Sequence, residues 1–175
     1  MSALPRPLPL PLPLLISLHI RLDDLSDPRI AVFLEEHLQD MRATSPPESV
    51  HALDLSKLRD PSVHFWSAWL PSESGAFGGT LVGTGAIKRL DANHAELKSM
   101  RTSAASRGKG VGKHILRHIV EEARGLGFQR LSLETGTQPF FAPAHQLYLA
   151  HGFEPCGPFG SYSLDPHSRF LTMAI

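Results

Sequence analysis

Ser106-Arg107-Gly108-Lys109-Gly110-Val111-Gly112-Lys113 is the stretch on which the reading of this chain turns. Three glycines and three cations stand directly ahead of a helical pattern. Glycine lets a backbone turn tightly and lets a ligand approach it closely. A helix N-terminus presents unpaired N–H groups and the positive end of the helix dipole. Together they form a phosphate cradle. Between Leu97 and Val120 there is no Asp or Glu, but there are Lys98, Arg101, Arg107, Lys109, Lys113 and Arg117. A chain of formal net charge zero has gathered positive charge around one glycine loop. That pattern suits a small polyanionic ligand.

Two phosphate-loop templates fail on spacing. A Walker loop needs glycine where Arg107 stands and Ser or Thr where His114 stands. A dinucleotide fingerprint starting at Gly108 needs glycine at position 113, which is Lys. The spacing that fits is Arg107-x-x-Gly110-x-Gly112 running into a helix.

Working outward, Val111, Ile115, Leu116, Ile119, Val120 and Ala123 recur at helical spacing, and Gly125 and Gly127 end the run. Leu131-Ser132-Leu133-Glu134-Thr135 alternates as a strand. Pro143 opens a short helix carrying Ala144, Leu147 and Tyr148, with Gly152 as its stop. Glu96 to Thr102 reads as the strand before the loop. Upstream, Leu14 to Arg21 is expected to be the first strand. Asp27-Pro28 caps and opens a helix with Ile30, Phe33, Leu34, Leu38 and Met41 on one face. Ser45-Pro46-Pro47-Glu48 reads as a capping box that starts a second helix through about His51 to Leu58. Val63–Leu70 and Thr80–Leu90 are expected to be two antiparallel strands joined by a Ser/Gly-rich turn from Pro71 to Gly79.

Arg107-x-x-Gly110-x-Gly112 resembles the pyrophosphate-binding motif of the GNAT acyltransferases, and Ala144-x-x-Leu147-Tyr148-x-x-x-Gly152-Phe153 is similar to that superfamily's second signature. The resemblance covers roughly residues 79 to 175 and suggests a small-molecule-type, bacterial-like member. It implies an α/β fold: a single domain with a mixed, mostly antiparallel central sheet flanked by helices. It also implies acetyl-coenzyme A as co-substrate and N-acetyl transfer to a primary amine of a small molecule or peptide, by direct attack in a ternary complex. The cofactor-binding residues it implies are Met100, Arg101 and Thr102, through main-chain groups on a strand that splays from its neighbour. Arg107, Gly108, Lys109, Gly110, Val111, Gly112 and Lys113 follow in the loop. Tyr148 is implied as the acid that protonates the departing thiolate, and Glu96 as the base. An ion pair with Lys98, on the same strand face, is the plain alternative for Glu96. Glu134 is a weaker competitor. In many members an Asn stands seven residues before the tyrosine; here it is Phe141. The acceptor is expected against Ser45 to Asp54 and Pro158 to Phe170.

Composition limits the alternatives. The length of 175 residues suits one domain, 42% of the chain is hydrophobic, and the one cysteine, Cys156, forms no internal disulfide. No apolar run reaches membrane-spanning length and the charge is balanced, so neither a membrane nor a nucleic-acid partner is expected. A cytoplasmic enzyme, compatible with a homodimer, is the expectation. His114 and His118, four residues apart, lack a third ligand, and no metal site is expected. Residues 1–13, with proline at 5, 7, 9, 11 and 13, read as a Pro/Leu-rich N-terminal extension without fixed structure, and 14–175 as the domain. Two rival functions share the loop: a non-catalytic coenzyme A-binding sensor or scaffold, and a plain nucleotide-binding domain.

Overall fold

Seven strands form one sheet in the order β1-β2-β3-β4-β5-β7-β6 in the computed structural model, which describes residues 18–72 and 78–175. The strands are β1 (His19–Leu22), β2 (Val63–Leu70), β3 (Thr80–Arg89), β4 (His94–Thr102), β5 (Arg130–Gly136), β6 (Glu154–Cys156) and β7 (Ser168–Ala174). The helices are α1 (Pro28–Thr44), α2 (Leu55–Leu58), α3 (Val111–Gly125) and α4 (Ala142–Ala150). Every strand pair is antiparallel except β4–β5. The mixed, mostly antiparallel sheet is therefore as expected. The N-terminal extension and the middle of the Pro71–Gly79 turn lie outside the described residues, as does the first half of the expected first strand.

The sheet is covered on both faces. Successive residues of a strand point to opposite faces, and β2 divides accordingly: Trp66 and Ala68 join one apolar cluster, Phe65 and Trp69 the other. The first cluster contains Ile115, Leu116, Ile119 and Ala123 of α3, with Val82, Leu97, Leu131 and Leu133 from the strands. The second contains Ile30 and Leu34 of α1 and Leu58 of α2. Ile119 is fully buried, so truncating it to Ala should cost roughly 2–5 kcal/mol.

The expected second helix is not formed as read. Pro47–Ser49 makes a single 3-10 turn, residues 51–54 carry no helix, and α2 is one turn capped by Asp54, whose carboxylate accepts from the Lys57 N–H at 2.9 Å. The Ser45 side chain caps no following helix; its N–H instead closes α1 on the Met41 carbonyl at 2.9 Å. Its hydroxyl faces Gln138 at 3.5 Å, and Ser49 donates to Asp165 at 2.6 Å. These distant partners hold the connector in an extended path across the sheet, against the local preference for a helix.

The feature that positions the site is the divergence of β4 and β5. Their parallel pairing covers only His94, Ala95 and Glu96 against Arg130, Leu131 and Ser132. Beyond Glu96 the strands separate. A register shift in the β3–β4 pairing falls between Thr84 and Ala86. Opposite it, Ser99 is left-handed, with φ of 53°. A bulge of this kind bends and twists its strand. Thr84 steadies it by donating to the Ser99 carbonyl at 2.8 Å. Gly85 lets the core pack closely here: a Cβ would come within 2.8 Å of the Met100 sulfur and closer still to Ile119, so those side chains would have to shift.

Candidate active site

The opened β4–β5 gap becomes a cavity of about 710 Å³. Its donor-side wall is the glycine loop and the start of α3. Gly108 and Gly110 have φ of 74° and 82°, a left-handed conformation that glycine adopts without steric cost. Gly110 is the N-cap of α3, and no side chain caps that end. The first N–H groups of a 15-residue helix are thus left for a ligand. Gly112 faces Thr102 and Leu147, where an added Cβ would sit 3.4–3.5 Å from their side chains.

Most of the implied donor-binding residues meet here. Met100, Arg101, Thr102, Arg107, Gly108, Gly110, Val111, Gly112 and Lys113 all line the cavity, whereas Lys109 stands exposed outside its wall. The six cations separate into two kinds. Lys98 pairs with Glu96 at 2.8 Å, and Arg101 pairs with Asp40 at 2.5 Å and Glu36 at 3.4 Å. Arg107, Lys109, Lys113 and Arg117 have no carboxylate within 4 Å among the described residues. Arg107 rests over the Phe140 ring, 6.0 Å from its centroid. These residues fit a pyrophosphate: an uncapped helix start beside unpaired cations, with a glycine backbone that can be approached closely.

Tyr148 projects from α4 into the same cavity. It is buried, packs edge-on against Phe153, and burial pushes its phenol above the ordinary tyrosine range. A phenol so placed is protonated at neutral pH. Phe141, in the place where many relatives of the motif carry Asn, also lines the cavity and packs against Gly136. It supplies an apolar wall with no hydrogen bond to offer.

Glu96 is buried on β4 but does not reach the cavity wall. Its Oε1 accepts from Lys98 Nζ and from the Tyr162 hydroxyl. The same-face ion pair with Lys98 is therefore formed. Glu134, on β5 across the gap, does line the cavity. Burial pushes its carboxyl up to about 7; the Ser168 hydroxyl and then Lys98 oppose that effect, and the charges of Glu96 and Asp165 add to it. A group poised near neutral pH can take a proton from an amine. Sequence alternation had placed Glu134 on a strand, but only the strand divergence exposes it to the gap.

The acceptor side is built from the connector after α1. Ser45, Ser49, Val50, His51 and Ala52 line the cavity, with His37 and Met41 of α1. Ser49 and His51 also line a second cavity of about 520 Å³, closed by residues 161–167. The two expected acceptor segments thus meet through shared walls. His37 is held down to about 4 by burial and by Arg101, and burial followed by Lys98 holds His51 below its ordinary value. Both rings are neutral at pH 7. His114 and His118 serve packing and local bonding: the first sits 2.9 Å from the Gly110 carbonyl, the second edge-on to Trp66. Burial raises the Cys156 thiol, the reverse of what a nucleophile needs. No helix of the described residues is long and apolar enough to cross a membrane.

Residues 30–153 match the family model of the acetyltransferase (GNAT) family. The chain is 50% identical over 158 residues to the uncharacterised N-acetyltransferase YsnE of Bacillus subtilis, covering 90% of this chain and all of that one. It is 51% identical over 156 residues to the uncharacterised N-acetyltransferase YedL of Escherichia coli, covering 89% and 94%. Among solved structures, it resembles a Klebsiella pneumoniae protein described as a candidate acyl-CoA N-acyltransferase. The TM-score is 0.71 at 26% identity, over 90% of this chain and 97% of that one.

Proposed function

This chain belongs to the GNAT family of acetyltransferases, and on that premise we propose that it transfers an acetyl group from acetyl-coenzyme A to a primary amine by direct attack in a ternary complex. One observation carries the proposal: the uncapped start of α3, the edge of β4 that β5 leaves unpaired and the Tyr148 side chain all border one cavity, which shares Ser49 and His51 with a second, polar one. In this reading the donor lies along the loop side and the acceptor along the connector side of one cavity. An acetyl group needs no covalent stop on the protein to pass between them.

The coenzyme pyrophosphate is assigned to the N–H groups from Gly110 to Lys113, and the pantetheine arm to the free edge of β4 from Met100 to Thr102. At the thioester, the amine nitrogen forms the new bond to the acetyl carbon and the carbon–sulfur bond breaks. Tyr148 donates to the sulfur as its charge develops. The amine proton goes to Glu134, whose position and raised pKa suit it to that role. Glu96 is the second assignment. It rests on the Tyr162 hydroxyl, which joins Glu96 to Lys98 on the cavity wall and offers a route for a proton.

The test is thiol release from acetyl-coenzyme A across an amine library, with calorimetry of coenzyme A binding alongside. Turnover with a defined set of amines, and competition by coenzyme A rather than ATP, are expected. Tight coenzyme A binding without turnover of any amine would favour a sensor or scaffold.

A further inference from the structure

Lys98 is a buried cation with one hydrogen unaccounted for. Its side chain is 9% exposed, yet it lines the cavity. One N–H goes to Glu96 Oε1 at 2.8 Å and one to the Tyr162 oxygen at 3.0 Å. An ammonium carries three N–H donors, and the third has no acceptor among the described residues. The side chain is also fixed. Tyr162 donates its own hydrogen to Glu96, so its oxygen must accept from Lys98. His51, Phe159 and Phe170 hold the Tyr162 ring at centroid distances of 5.0, 5.2 and 5.5 Å. The remaining N–H is therefore a preset donor at the acceptor end of β4, two residues before the Met100 backbone assigned to the donor arm.

We propose that the acceptor carries a carboxylate beside its amine, and that Lys98 binds it: the substrate is a small monocarboxylic amino acid. The inference rests on the acetyl-transfer reading. Of the other cations lining the cavity, Arg101 is held by two carboxylates, Asp40 and Glu36, against one for Lys98, although its Nε also lacks a partner among the described residues. Arg107 and Lys113 stand at the loop. His37 and His51 are neutral. Lys98 and Glu134 lie on opposite banks of the gap, and the Lys98 charge acts on Glu134. An amino acid with its carboxylate on Lys98 brings its amine toward Glu134. A second carboxylate would find Glu134 on the same wall and no second cation at this end of β4. Met41, Val50 and Phe141 give the remaining wall apolar surface beside Ser45, Ser49 and a neutral His37, so a side chain without charge fits there.

The experiment compares phenylalanine, its carboxamide, phenethylamine and glutamate as acceptors in the thiol-release assay, with rates normalised to free-amine concentration across pH. Phenylalanine should exceed the carboxamide and the amine in kcat/KM by about tenfold or more, the value of a charged hydrogen bond, and glutamate should be poor. Lys98→Met should bring phenylalanine down to the level of the amine, and Lys98→Arg should retain a preference. Equal use of the uncharged-end analogues, or an equal loss for all acceptors in Lys98→Met, would overturn the proposal. Calorimetry of phenylalanine with the coenzyme A-loaded protein separates the two readings. Binding that Lys98→Met abolishes, with no turnover of any amine, would sink the transfer reading and leave the amino-acid site standing. Absent binding and absent preference would remove the site alone.

Discussion

Arg101 Nη1 and Asp40 Oδ2 lie 2.5 Å apart, joining β4 to α1 beside the donor-binding edge. The arginine is 10% exposed, contacts Glu36 as well, and lies over the Phe33 ring. It looks in sequence like a member of the phosphate-binding cation group, but its charge is committed to a fold contact. Its partners Asp40 and Glu36 are 38% and 57% exposed, so water would solvate them once the arginine is gone. Arg101→Met should therefore lower stability by only about 1 kcal/mol in urea unfolding. Lys113→Met should leave stability unchanged while weakening coenzyme A and flattening the salt dependence of its affinity. If Arg101→Met instead retains full stability and alone reduces that salt dependence, the division of cations made here is wrong.

The loop makes a second, separable prediction. Gly110 holds a φ of 82° at the helix start. Gly110→Ala should cost on the order of 1 kcal/mol through strain, and Gly110→Glu should in addition place a negative charge against the phosphate. Both should fold. Calorimetry should show a modest loss of coenzyme A affinity for Ala and a severe one for Glu. Equal affinities in the two variants would place the pyrophosphate elsewhere.

The parts of this molecule legible in sequence are those governed by local periodicity. The α3 stripe, the alternation in β2 and β5, and the glycine stops each follow from neighbours within a turn or a few residues. The connector from Ser45 to Asp54 was misread because its decisive partners, Gln138 and Asp165, are about a hundred residues away. Glu134 was undervalued for a related reason. A strand pattern says which face a residue occupies, but its desolvation depends on where β4 leaves β5. That in turn depends on the bulge at Ser99 and the close packing over Gly85. Lys98 and Tyr162, 64 residues apart, had no shared signal at all.

Glu134 and Glu96 can be told apart by pH. If Glu134 accepts the amine proton, kcat/KM should rise with pH through about 7, the value at which its carboxyl ionises. Glu134→Gln should remove that limb and lower the rate by about 100-fold to 10,000-fold. Glu96→Gln, which leaves Glu134 in place, should lower the rate less and keep the limb. A profile that loses its acidic limb only in Glu96→Gln would return the base to β4.

Two half-buried groups should move stability in opposite directions. Glu134 rises from 4.5 to about 7 on folding, so the folded state holds a proton that the unfolded chain releases. Its contribution is present below about 4.5 and lost as pH rises through 7. Glu134→Gln should therefore gain about 1–3 kcal/mol relative to the parent at pH 8 and little at pH 4. His37 falls from 6.5 to about 4, so the unfolded chain binds its proton first. Stability is full above 6.5 and declines as pH drops toward 4. His37→Gln should protect the protein at pH 4–5 and do little at pH 8. Thermal unfolding of both variants across pH 4–8 reads each sign directly.

Tyr148→Phe tests the acid while keeping the ring that packs on Phe153. Burial keeps the phenol protonated but also makes it reluctant to give up its proton. It should therefore act chiefly by hydrogen-bonding the departing sulfur and complete the transfer only as the thiolate forms. A thiolate is itself a fair leaving group, so the loss should sit near the low end of general-acid effects, about 100-fold. It should fall on kcat and kcat/KM alike, with coenzyme A affinity unchanged, because the hydroxyl acts in the transition state rather than in binding. Product release can mask a slowed chemical step, so single-turnover rates with a reactive amine are the right measure. A single-turnover rate equal to the parent's would reduce Tyr148 to a packing residue of α4, and the sulfur's proton would then have to come from solvent in the cavity.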